Sequence, residues 1–287
     1  GGDISNFRWL GLELSKRGWP VAFIDHKGTN SEALKAVFSG KESLPGGSEV
    51  FVDRIKDLDA VIKAHKNGFF GLKKRSYVLM GHSLGSLISF LYEGNPPKKG
   101  FEIRCERALN DFAITNLSKL LQCQLSEISI PQLKENSNMT ALVGLNSFGS
   151  ILWPNLRNTG IEAPVMLIGG TYDLITPLIS EQLPIFLATI PNSLNRFLII
   201  EGASHFSPIR IDKTKYRKNK DEDIFKINES LIGTNPYSVQ KFTAKMIFEF
   251  LENIKENKAM QVVNKNKHNS FEYHILNRNQ VKRIIEN

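Results

Sequence analysis

No apolar run in this sequence approaches the roughly 18 residues that a membrane-spanning helix requires, so no integral membrane span is expected. The first residues, "GGDISNFRWL", hold no basic start, no apolar stretch and no Met. They do not read as a secretory leader, and we expect a soluble chain whose start is processed or truncated. Cysteine is nearly absent. Cys105 and Cys123 are too few for a disulfide framework and lack the spacing of a metal site, so no metal is expected and two free, partly buried thiols are the plain reading. On one continuous helix they would stand about 27 Å apart, whereas a helical hairpin would bring them within bonding reach. A bond would favour export to an oxidising compartment; without one, the compartment stays open.

Acidic residues are in deficit, and the formal charge of +8 raises the question of an anionic partner. Residues 255–287 hold seven Lys or Arg against three acids, which is half of the excess. The expectation is a basic, Asn- and Lys-rich tail over 258–287, solvated or frayed, following a folded domain over 1–257. No aromatic stripe is interleaved with these charges for bases to stack on, so no nucleic-acid partner is expected.

What is present is enough apolar material, 41% of 287 residues, for one large core. Helix-period and buried-strand segments alternate along the chain, which predicts an α/β fold with a mostly parallel sheet flanked by helices. Phe7, Leu10 and Leu14 share a helical face that ends at Gly18, and "WPVAFIDHKG" then reads as a short buried strand over residues 21–25. After a long connection, Phe51, Ile55, Leu58 and Ile62 mark an amphipathic helix with Ser48 as its N-cap. "SYVLMGHSLGSLISF" predicts a strand, a turn and a helix, which the prolines of "GNPPKKG" stop at or before Asn95. Residues 94–138 read as a helical insert placed where a lid would sit. Three apolar runs, "MTALVGLNSF", "APVMLIGGTYD" and "NRFLIIEGASHF", then each empty into a polar loop, and Val239, Phe242, Met246 and Phe250 mark the inner face of a last helix.

Chemistry concentrates in "GHSLG". A serine hydroxyl is a weak nucleophile until a base takes its proton and the oxygen is held clear of the sheet. Gly-x-Ser-x-Gly between a strand and a helix does the second: the turn is sharp, the serine strained, and the glycines allow close backbone approach. The same turn aims the Leu84 N–H and the positive end of the new helix at a developing oxyanion. The pattern also occurs as plain turn chemistry, so its context matters. An acid and then a histidine should follow, each just past a later strand. Asp173 in "LIGGTYDLITP" and His205 in "LIIEGASHFSP" stand in those places. His26, His65, His268 and His274 do not, His82 lies within the turn itself, and the loop "NSFGS" holds no acid. Turn or cap roles for Ser83 and Asp173, and a surface role for His205, are the competing readings. No phosphate-cradling loop, dinucleotide fingerprint or other cofactor motif is present.

At "GHSLGS", "GGTYDLITPLISEQLPIF" and "IIEGASHFS" the chain resembles the α/β-hydrolase superfamily over roughly residues 1–257. It is most similar to the bacterial predicted dienelactone hydrolases and also to the platelet-activating-factor acetylhydrolases. The resemblance implies a serine hydrolase that cleaves carboxylic esters through an acyl-enzyme intermediate, with Ser83 as nucleophile, Asp173 as acid, His205 as base and Leu84 in the oxyanion hole. It also implies a lid over 94–138 that shapes an acyl pocket for a small ester or lipid-like substrate. His82, Leu109, Phe112, Leu117 and Leu120 are the expected substrate contacts, although the insert leucines also fit as the insert's own core. A thioesterase or acyltransferase would use the same three residues, and a degenerate, non-catalytic binding protein is the rival of another class. One departure stands out. The family's His-Gly-x-Gly-like loop, which donates a second oxyanion N–H, is absent before the first helix. The strand that carries it should lie between residues 21–25 and the strand at Tyr77. We therefore expect a fragment whose N-terminal strands are missing.

Overall fold

The computed structural model of the protein describes residues 4–26, 47–111, 116–133, 137–154, 159–209 and 233–286. The alternation read from the sequence produces helices α1 (Arg8–Ser15) and α2 (Glu49–Lys66), then strand β1 (Tyr77–His82) and helix α3 (Leu84–Glu93). The insert supplies α4 (Phe101–Asn110) and α5 (Ser118–Cys123). Next come β2 (Met139–Leu145), β3 (Val165–Gly170), a π-helical turn (Leu178–Gln182) that runs into α6 (Leu183–Ala188), and β4 (Arg196–Ile200). The chain closes with α7 (Pro236–Lys255), a hairpin of β5 (Val263–His268) and β6 (Phe271–Leu276), and α8 (Arg278–Glu286).

Among the described residues, six strands form one sheet in the order β1-β2-β3-β4-β6-β5. The first four are parallel, and β6 joins β4 antiparallel. Parallel strands are covered on both faces, and β3 and β4 are buried at every position. One face packs the α2 stripe of Phe51, Ile55, Leu58 and Ile62 with α3, α6 and Val281 of α8. The other packs Leu10 and Leu14 of α1 with Val239, Phe242, Met246 and Phe250 of α7. Both amphipathic stripes thus bury as their periodicity predicts, and α3 stops at Glu93, two residues short of Asn95. Ser48 holds the N-cap position of α2, but its side chain makes no capping hydrogen bond. No helix among the described residues is long and apolar enough to cross a membrane.

Three expectations need correction. Residues 21–25 form no strand, and Val21 and Phe23 are each 38% exposed. A strand needs a neighbour to exchange backbone hydrogen bonds with, and among the described residues β1 is the sheet edge, with nothing laddered to it on that side. Phe23 instead lies over Gly11 of α1. Residues 258–287 are not a frayed tail, and the domain does not stop at 257: Phe197 to Ile200 of β4 pair with Leu276 to Tyr273 of β6, and Phe271, Ile275 and Leu276 are buried. The two cysteines are not free thiols. Cys105 on α4 and Cys123, the last residue of α5, form a disulfide, Cα to Cα 5.4 Å, because the insert folds as a helical hairpin. Within that insert, residues 112–115 and 134–136, Phe112 among them, lie outside the described residues.

Candidate active site

The "GHSLG" turn joins β1 to α3, and Ser83 at its apex adopts φ 52° and ψ −118°. A side chain at positive φ is strained, so surrounding structure must impose the conformation. The Ser83 N–H donates to the Leu145 carbonyl of β2 at 2.8 Å, which extends the ladder one residue past the strand. A Cβ on Gly81 would stand 2.3 Å from the Gly85 backbone, so only glycine lets the chain reverse this tightly. Gly85 meets no such obstacle. Leu84 is the first residue of α3, where N–H groups lack an intrahelical partner.

Two other loops, past β3 and β4, complete the arrangement. His205 Nε2 stands 2.9 Å from Ser83 Oγ, and its Nδ1 stands 3.1 and 3.0 Å from the two carboxylate oxygens of Asp173. A carboxylate only accepts, so Nδ1 carries the ring proton and Nε2 is left to accept from the serine hydroxyl. All three residues are buried. They come from residues far apart in the chain, joined by one unbroken line of hydrogen bonds.

The acid is held by more than the histidine. Asp173 Oδ1 accepts the N–H groups of Ile175 at 3.0 Å and Thr176 at 2.8 Å. Oδ2 accepts from the Asn146 side-chain amide at 2.7 Å, the Thr176 hydroxyl at 2.6 Å and the Gln182 side-chain amide at 3.0 Å. Burial by itself raises the carboxyl pKa, but the hydrogen bond and charge of His205, with the Thr176 donors, outweigh it and hold the group below its ordinary value. Gln182 also donates to the Thr176 carbonyl at 2.7 Å, while its own Oε1 is buried with no hydrogen-bond partner. Both of its donors are spent on acceptors around Asp173, which leaves the oxygen facing Gly169.

His82 does not face outward as a substrate contact. Its ring is buried between Phe7, centroid distance 5.2 Å, and His205, 4.8 Å, and Nε2 donates to the His205 carbonyl at 3.0 Å. Desolvation first, and then the nearby His205, depress its pKa well below the ordinary histidine value, so the ring is neutral. It buttresses the loop that carries His205.

The insert reaches the site through its backbone and through Glu181. Ser118 N–H donates to the Ile175 carbonyl at 3.1 Å, which places Leu117 beside the Asp173 loop. Glu181, fully buried in the π-helical turn, accepts from Asn116 and Gln122 at 3.0 Å each. Leu109, Leu117 and Leu120 remain exposed at 42%, 40% and 42%, whereas Leu121 packs on the core. Of the expected apolar contacts, Leu117 is brought next to the site loops by the Ser118–Ile175 hydrogen bond, and Phe112 lies outside the described residues.

Sequence reasoning missed Asn146, Thr176, Gln182 and Glu181. For Thr176 a signal existed: Asp173 followed three residues later by threonine is a side-chain-to-backbone capping pattern. The loop at Asn146 holds no acid, yet it contributes a donor to one. Among the described residues no group of His, Cys, Asp and Glu is arranged to hold a metal ion. No protein-family model matches the chain, and no curated protein matches it.

Proposed function

We propose that this protein is a serine hydrolase of the α/β-hydrolase superfamily that cleaves carboxylic esters through an acyl-enzyme intermediate. The observation that carries this reading is the continuous Ser83–His205–Asp173 hydrogen-bond line ending on a serine held at positive φ. Ser83 Oγ attacks the ester carbonyl carbon while its proton passes to His205 Nε2. The imidazolium that forms is stabilised by Asp173, which is already ionised and fixes the ring tautomer. The negative oxygen of the tetrahedral intermediate faces the Leu84 N–H and the N-terminus of α3. Collapse breaks the bond to the alkoxide, which leaves with the proton from Nε2. Water then attacks the acyl-serine, again giving its proton to Nε2, and release of the acid restores Ser83.

The helical insert is the lid in this reading. Its Ser118–Ile175 hydrogen bond to the Asp173 loop and its exposed Leu109, Leu117 and Leu120 support an uncharged or acyl-rich substrate. The Cys105–Cys123 disulfide favours an oxidising compartment.

A fluorophosphonate probe tests the proposal directly. Intact protein labels on Ser83, Ser83→Ala does not label, and hydrolysis of a p-nitrophenyl ester falls by roughly 10⁴-fold or more in that variant. A folded protein that neither labels nor hydrolyses the ester overturns the reading.

A further inference from the structure

The turn between α2 and β1 carries a different kind of signal. Residues 67–76, "NGFFGLKKRS", hold three Lys or Arg and neither Asp nor Glu. Gly68 and Gly71, at φ 89° and 66°, fold the turn so that its tip is a pair of phenylalanines. Phe69 is 81% exposed, the most exposed large apolar side chain among the described residues, and Phe70 is 41% exposed. The pair is ordered edge to face at 5.4 Å, and Phe70 also approaches the His65 ring at 6.2 Å. Lys73 and Lys74 are exposed and make no ion pair among the described residues, and Arg75 bonds a carbonyl, that of Leu72, which leaves its charge unneutralised. Adjacent exposed aromatics beside unpaired cations match the boundary of an anionic bilayer, where rings sit among acyl chains and ammonium groups meet lipid phosphates.

We infer that this turn docks the protein on an anionic lipid surface, Phe69 and Phe70 entering the interface and Lys73, Lys74 and Arg75 meeting the headgroups. Nucleic acid fits less well, because one ring of an edge-to-face pair covers the other instead of offering parallel platforms to successive bases. The turn precedes β1 and Ser83 follows it, so the two lie at opposite ends of the sheet, about 20 Å apart for a strand of this length. Docking therefore tethers the protein and leaves the Ser83 end facing away from the bilayer. It does not rest on the hydrolase reading.

Sedimentation of the full chain with vesicles tests it, using phosphatidylcholine alone and phosphatidylcholine with about 30 mol% phosphatidylglycerol. Binding is expected to the anionic vesicles only, and to weaken as salt rises. Lys73→Gln with Lys74→Gln should weaken it about 25-fold, at about fivefold for each basic residue. Phe69→Ser with Phe70→Ser should weaken it at least about tenfold. Lys258→Gln with Lys267→Gln removes the same charge elsewhere and should change little, as should Ser83→Ala. Far-UV circular dichroism checks that the variants remain folded; all but Ser83→Ala are at exposed positions. Absence of binding to anionic vesicles, equal loss in the Lys258 and Lys267 control, or indifference to the phenylalanine changes overturns the inference. So does tight binding of a single-stranded oligonucleotide that the phenylalanine changes abolish while vesicles stay unbound.

Discussion

Asp173 shows how a single buried charge is kept. A carboxylate removed from water is stable only when donors replace its hydration, and here side chains from three segments converge on two oxygens. Its pKa lies below the ordinary value when folded. The stability it contributes is therefore fully present above the unfolded carboxylate pKa of about 3.9, and is lost as pH falls through the lower folded value. Thr176→Val keeps the shape and removes one donor from Oδ2. We expect urea unfolding at neutral pH to show a loss of about 1 kcal/mol, and a smaller loss once the pH has fallen below the lowered folded pKa, where Asp173 is protonated in both proteins. Equal losses at the two pH values would mean that the hydroxyl does not support the charge. The three proposed catalytic residues were legible because strand ends and their loops can be read from apolar runs. Asn146 and Gln182 were not, since an amide looks the same in sequence whether it faces water or a buried carboxylate.

Among the elements, the insert and the final hairpin depart most from a reading by periodicity. The insert leans on Glu181, whose acceptors are filled by Asn116 and Gln122, and on the Cys105–Cys123 bond that ties α4 to the end of α5. Cross-linking a loop of this length contributes about 3 kcal/mol, chiefly by restricting the unfolded chain. Reduction should therefore lower hydrogen-exchange protection of the α4 and α5 amides by about that much, and that of β2, β3 and β4 amides equally wherever they exchange only through global unfolding. Unchanged protection of α4 and α5 after reduction would contradict this role. The hairpin leaves little periodic signal because β5, "VNKNKH", is an edge strand with polar residues on both faces, as edge strands that resist aggregation often are. The informative residues were in β6, where Phe271 and Ile275 are buried on one face, and in the two-residue turn after His268, where Asn269 takes φ 53°.

For the whole molecule, the sheet makes distant segments interdependent. The pairing of β6 with β4 joins the last part of the chain to the middle, and α1 near the start packs on the same face as α7. Trp9 donates to the Pro208 carbonyl, Trp19 to Glu252 and Trp153 to the Asn95 carbonyl, so the three indoles report on both faces. We expect tryptophan fluorescence and far-UV circular dichroism to follow one coincident thermal transition. A chain ending at residue 257 should lose that cooperativity, because it uncovers β4 and the faces that Phe271, Ile275 and Val281 bury. A shortened chain with an unchanged transition would restore the tail to a dispensable extension.

The amino-acid sequence alone determined the α/β alternation, the stripes of α2 and α7, and the strand-end positions of Ser83, Asp173 and His205, because periodicity and turn chemistry are local properties. Only the tertiary structure decided that residues 21–25 lack a ladder, that residues 263–276 gain one, that the cysteines meet, and that Asn146 and Gln182 serve Asp173. Those outcomes depend on what lies alongside in space, and a neighbour across a sheet or a donor to a buried charge leaves no periodic mark on the chain that receives it.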